Sequence, residues 1–199
     1  MIENYSLHYC YRTIGDVLMI EIDSRKLPTR NEKVGNVVSI YSGDELIGIN
    51  IFDFGKIVKI KNQGMIYLPT HSLIDVINSI LANAKLPSLS YKEKSGYVVG
   101  EVNEIFEVAG GSLIVVNLKA GNCSCFAKEV GELKSSDKVV VALAGSNLPN
   151  GDIVKERSGD FGFTDAHVCS YFDLGINESN EILIIDEDSE VGSDFFQLK

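Results

Sequence analysis

Only one stretch of this chain carries a helical repeat, and the text around it alternates as strands do. Leu73, Ile77, Ile80, Leu81 and Ala84 recur at the three- and four-residue spacing that gathers side chains on one helix face. Ser72, with Asp75 three residues on, reads as a capping box at the start of this helix, and Pro87 lies just beyond its end. A chain with a single amphipathic helix must build most of its core from sheets. The strand text therefore decides the fold class.

In the first part, Tyr5 to Tyr11 alternates and is rich in aromatics, and Asp16 to Ile22 follows a turn at Gly15. Arg25 to Asn36 is polar, contains Pro28 and Gly35, and reads as a loop. Val37 to Tyr41 and Leu46 to Phe52 are two strands joined by a Ser42-Gly43-Asp44-Glu45 turn. Another strand is expected around Val58 to Ile60, then a turn at Asn62-Gln63-Gly64 and extended chain from Met65 to Leu68. Antiparallel strands followed by one amphipathic helix predict an α+β module over residues 1–90, with the helix packed on a sheet face.

From Tyr97 the texture changes. Tyr97 to Val102, Leu113 to Leu118, Lys138 to Leu143 and Ile182 to Ile185 are strand candidates, punctuated by Gly110-Gly111, Gly121-Asn122 and Asn150-Gly151. About five strands in a hundred residues, with few helical patterns, predict an all-β domain over residues 96–199, a five-stranded closed barrel of the OB type. The boundary is expected between Pro87 and Ser95.

Charge divides along the same line. Residues 1–90 balance nine Lys/Arg against nine Asp/Glu, whereas residues 91–199 set nine against nineteen, so the whole net charge of −10 sits in the second part. With 45% apolar and 23% charged residues the chain has enough material for ordered cores. The polar start, Ile2 to Ser6, reads as no secretory signal, and the longest apolar runs are too short to cross a bilayer, which leaves the cytoplasm as the expected location.

Chemistry-bearing motifs are sparse. There is no phosphate loop, dinucleotide fingerprint or paired-histidine metal helix. Gly159-Asp160-Phe161-Gly162 reads as a turn, because neither the lysine strand nor the catalytic loop of a kinase accompanies it. Cys123 and Cys125 fall on one face of a strand, and only His167 and Cys169 stand ready to complete a zinc set. Buried small hydrophobes are the better reading of these cysteines, so no metal and no cofactor is expected. His167, Cys169 and Asp173 suggest a nucleophile set, against the plainer reading of a strand with a buried cysteine and a partly exposed histidine. The acidic run Asp186-Glu187-Asp188 with Glu190 lacks the glycine and spacing of a calcium loop and reads as a solvated turn. No catalytic site is expected.

Several segments resemble a known family. Tyr97 to Val102 resembles the opening strand of the tRNA-binding domain found at the end of bacterial methionyl-tRNA synthetases and in phenylalanyl-tRNA synthetase β chains. Lys138 to Ala142, Gly145-Ser146, and Leu148-Pro149-Asn150-Gly151 with Ile153 look like that domain's central strand and its turn. Cys169-Ser170 followed by Asp173-Leu174-Gly175 looks like its C-S…E-L-G segment. Upstream, Gly35 to Tyr41 and Gly48 to Phe52 resemble the N-terminal module of the YtpR-type tRNA-binding proteins, in which such a module precedes this OB domain. The departures fall on polar and basic segments. Glu107 to Leu113, the text around Lys128 to Glu132, and Asp160 to His167 stand where the family carries H-P-x-A-D-K-L, C-G-A-x-N and R-G-V-x-S-x-G-M.

The resemblance implies a non-catalytic RNA-binding protein with tRNA as its partner. The residues it implies for the RNA face are Lys119, Asn122, Lys128, Lys134, Ser146, Asn147, Lys155, Arg157, Ser170 and Tyr171, with Phe161 and Phe163 as stacking platforms. A domain of net charge −10 repels a polyanion at long range. A second reading therefore stays open, in which an acidic OB barrel has lost RNA binding and instead meets a basic protein partner or a second copy of itself. No membrane partner is expected under either.

Overall fold

The structure, a computed structural model, describes residues 1–60, 64–160 and 162–197. It is mostly β, in antiparallel sheets, and falls into two compact units, Met1–Glu93 and Lys94–Lys199. Among the described residues no helix is long and apolar enough to cross a membrane.

The first unit contains β1 (Ser6–Tyr9), α1 (Tyr11–Ile14), β2 (Val17–Glu21), β3 (Arg30–Val34), β4 (Val37–Ser42), β5 (Glu45–Phe52), β6 (Gly64–Met65) and α2 (His71–Asn83). Among the described residues its six strands form one sheet in the order β3-β4-β5-β2-β1-β6. Alternation sets the buried face: Leu7 and Tyr9 from β1, Leu18 and Ile20 from β2, and Ile49 and Ile51 from β5 point into one core. Ile74, Ile77 and Leu81 of α2 join that core, as the helical spacing predicts.

Three local expectations are corrected. Arg30–Val34 is a strand and not part of a loop. It pairs with β4 across a Gly35-Asn36 turn, with Gly35 at φ +60°, a backbone that glycine adopts without strain. Val58 to Ile60 form no paired strand. They follow a 3-10 turn at Phe54–Lys56, and Val58 and Ile60 pack on the core as loop residues. The N-cap of α2 is Thr70, whose hydroxyl accepts the Leu73 N–H at 3.3 Å, so Ser72 stands inside the first turn. The expected turn at Asn62-Gln63 lies outside the described residues. After the helix, Asn78 holds Leu89 by both backbone groups, its Oδ1 accepting the N–H at 2.7 Å and its Nδ2 donating to the carbonyl at 3.0 Å.

The second unit contains β7 (Tyr97–Val108), β8 (Gly111–Asn117), β9 (Asn122–Ala127), β10 (Lys138–Leu143), β11 (Arg157–Gly159), β12 (Gly162–Thr164), β13 (Ala166–Val168) and β14 (Ile184–Ile185). This makes eight strands among the described residues where about five were expected. The main sheet runs β13-β10-β7-β8-β9, with β14 paired to β10, and β11 and β12 make a separate hairpin. The two ends of the sheet meet: the Asp165 N–H donates to the Ser124 carbonyl at 3.0 Å, and the Ser124 N–H donates to the Asp165 carboxylate at 2.7 Å. Val102, Ile114, Val116, Cys123, Cys125, Val139 and Val141 fill the interior.

Candidate nucleic-acid interface

The outer face of β7, β8 and β9 is built by one irregularity. In the pairing of β7 with β8, Val102 faces Val116 and Glu104 faces Val115, so Asn103 is an extra, bulged residue. Beyond it the alternation is shifted by one. Ile105 turns toward the core, and Phe106 turns outward, 46% exposed. The register then sets Phe106 opposite Leu113, and Leu113 opposite Phe126, in one row across three strands. A second row runs Glu104, Val115, Ser124, and the exposed amides of Asn103 and Asn122 approach to 3.4 Å.

The β11–β12 hairpin lies along this face. A Cβ on Gly162 would sit 3.4 Å from Leu113 Cδ2, and Phe163, beside it, is 50% exposed. Gly159 pairs with Gly162, and the expected turn falls partly on Phe161, outside the described residues. Arg157 pairs with Thr164 in the same hairpin, and Lys155 precedes it on exposed chain. Lys128 follows β9 directly, and its backbone lies beside Gly111 at the β7–β8 turn. Among the described residues Lys128, Lys155 and Arg157 are exposed and in no ion pair.

The other expected RNA contacts are dispersed or already engaged. Lys119 is in an ion pair with Glu190 at 2.9 Å. Ser146 is buried and donates its hydroxyl to the Gly96 carbonyl at 3.2 Å, and the Asn147 carbonyl accepts the Tyr97 hydroxyl at 2.6 Å. Ser170 is buried, its N–H and Oγ–H both directed at the Asp173 carboxylate at 2.9 and 2.7 Å. Lys134 stands exposed on the loop before β10. Tyr171 lines a groove shared with Glu129, Glu132 and Glu181, surroundings that repel phosphate. Phe161 lies outside the described residues. Phe106 and Phe126 were not picked out from the sequence.

Among the described residues the Cys169 thiol and the His167 ring share no hydrogen bond. Burial and then the Asp173 charge push the Cys169 thiol well above the usual range, and the thiol donates to the His167 carbonyl, 3.7 Å away. His167 Nε2 instead meets Asp173 at 3.0 Å. Burial raises the Asp173 carboxyl, but the His167 and Ser170 hydrogen bonds outweigh it and hold the group below its ordinary value. A hydrogen bond with Cys123, then burial, raises the Cys125 thiol well above its usual value. Among the described residues no three His, Cys, Asp or Glu side chains are gathered to hold a metal ion.

The chain is similar, nearly end to end, to a protein named for binding tRNA. That protein, "Putative tRNA-binding protein YtpR" of Bacillus subtilis (strain 168), is 26% identical over 193 residues, covering 92% of this chain and 94% of its own length. The phenylalanine–tRNA ligase beta subunit of Buchnera aphidicola subsp. Schizaphis graminum (strain Sg) is 32% identical over 114 residues. That match covers 52% of this chain but 14% of the subunit. Residues 25–88 match a family described as a domain of unknown function (DUF4479). The resemblance read from Gly35 to Phe52 and from Tyr97 to Gly175 is thus found again by comparison of whole sequences.

Proposed function

We propose that this chain is a non-catalytic tRNA-binding protein. Its first unit is an α+β module and its second a five-stranded OB-type barrel that carries RNA on the outer face of β7, β8 and β9. The observation that carries this reading is the end-to-end similarity to the Bacillus subtilis protein, which spans both units. The outer face supports it. OB barrels bind nucleic acid with exposed aromatic rings on this kind of surface and a few cations along its rim. Phe106 and Phe163 supply the exposed rings, the amides of Asn103 and Asn122 offer hydrogen bonds to bases, and Lys128, Lys155 and Arg157 meet phosphates. Ser146, Ser170 and Tyr171 take no part, since the first two are spent inside the fold and the third faces carboxylates.

The test is fluorescence anisotropy of labelled tRNA titrated with the whole chain over a salt series. Two or three phosphate contacts give a log–log slope of about −1.5 to −2.5, shallow for an RNA-binding protein. Absence of binding at low salt, or a slope near zero, refutes the reading.

A further inference from the structure

A second surface of the same unit has the opposite character. The loop between β9 and β10 and the segment leading into β14 enclose a groove of about 620 Å³. Val130, Ile182 and Ile184 make its floor. The first two pack on the interior behind them, and Ile184 is 41% exposed. Glu129, Glu132 and Glu181 make its rim, all exposed. Among the described residues none of the three is in an ion pair, although Lys128 and Lys134 bracket the loop that carries two of them.

We propose that this groove docks a basic peptide segment of a protein partner, one with apolar side chains interleaved among its lysines or arginines. The argument is charge complementarity over an apolar floor. Three unneutralised carboxylates surround a concave surface on a unit with eight Lys/Arg against eighteen Asp/Glu, so an RNA backbone is repelled and a cationic chain is drawn in. Apolar floor and polar rim are the layout of a protein–protein contact. The rim is fixed from behind. The Tyr171 N–H donates to the Glu181 carbonyl at 3.1 Å, the Leu183 N–H to the Cys169 carbonyl at 3.1 Å, and the Leu133 N–H to the Val130 carbonyl at 3.1 Å. The groove is therefore preformed, which lowers the entropy cost of binding. This inference does not depend on RNA binding.

The experiment uses the whole chain and a fluorescein-labelled octapeptide of alternating lysine and leucine, read by anisotropy. Two triple variants remove the same charge from different places: Glu129→Gln/Glu132→Gln/Glu181→Gln in the groove, and Glu101→Gln/Glu104→Gln/Glu107→Gln on β7. The groove variant is expected to weaken the peptide tenfold or more and the β7 variant less than twofold, with melting temperatures unchanged. Equal weakening by both would mean diffuse attraction to an acidic surface and would overturn the proposal. An octapeptide of alternating lysine and serine, equal in charge, is expected to bind several-fold more weakly; equal affinity would remove the role of the apolar floor and the proposal with it.

Discussion

Removing the ring of Phe106 separates binding from stability. Phe106 is 46% exposed and stands opposite Leu113 on β8. Full burial of a phenylalanine contributes about 1.5–3 kcal/mol, so truncating a half-exposed one costs the fold about 1 kcal/mol. One base stacked on an aromatic side chain contributes about 1–3 kcal/mol to binding. Phe106→Ala should then weaken tRNA about 5- to 150-fold while shifting the denaturation midpoint only slightly. Phe106→Leu refines the test, because it keeps the apolar packing against Leu113 but removes the aromatic face. Its stability should stay near wild type, and its tRNA affinity should fall most of the way to that of the alanine variant. The measurements are tRNA anisotropy at fixed low salt and urea unfolding followed by circular dichroism. If wild type binds tRNA and both variants bind it within twofold as well, the outer face of β7 is not the RNA surface.

Replacing Lys155 and Arg157 together by Glu should lower the magnitude of the salt slope by about 0.7–0.9 for each phosphate no longer neutralised, and weaken tRNA more than tenfold at low salt. An unchanged slope would clear this segment of RNA contact. A pH effect belongs to the first unit. Burial pushes the Tyr5 hydroxyl up to about 12, above its value of about 10 in the unfolded chain, so the unfolded state loses that proton first. Stability from this group is complete below about pH 10 and declines from there toward pH 12. Tyr5→Phe should abolish that alkaline decline while costing about 1 kcal/mol at neutral pH for the missing hydrogen bond to the Ser90 carbonyl, which unfolding at a series of pH values will show.

Strands that bury one face are legible in the sequence, because alternation and burial are the same fact written twice. β10 has the bounds expected of it, Lys138–Leu143, and β2 and β5 lie within a residue of theirs. β3 is illegible for the complementary reason. All five of its residues are exposed, so no apolar period marks it, and the backbone ladder to β4 and the stacking of Arg30 on Tyr41 at 4.1 Å hold it in place. Val58 and Ile60 fail in the opposite direction, since apolar spacing records a need for burial, which a loop packed on the core meets as well as a strand. At the helix start, Thr70 and Ser72 are both good caps, and spacing to Asp75 favours the wrong one. The site shows the same limits. Counting in twos from Val102 places Phe106 inside, and only the bulge at Asn103 brings it out. Ser146 and Ser170 stand at positions that resemble the family motif, and what they do there is tie loops together, a scaffold role that a motif cannot distinguish from a contact with RNA.

The charge of the second unit fits with RNA binding once cations are sorted by what they touch. The acidic segment Asp186 to Glu190 engages two of them, Lys119 through the Glu190 carboxylate and Lys138 through the Ser189 carbonyl at 2.7 Å. Lys128, Lys155 and Arg157, the three assigned to the RNA rim, are in no ion pair among the described residues. At physiological ionic strength the screening length is about 8 Å, so charges at the face act on a bound strand at close range while the rest of the unit is largely screened from it. Under the proposed reading, repulsion from the whole unit slows the encounter with a polyanion, and rings and amides at close range hold what arrives. Such a protein draws its affinity chiefly from stacking and only secondarily from counterion release. This is why the exposed rings of Phe106 and Phe163, rather than the lysine count, are the feature on which the RNA reading depends.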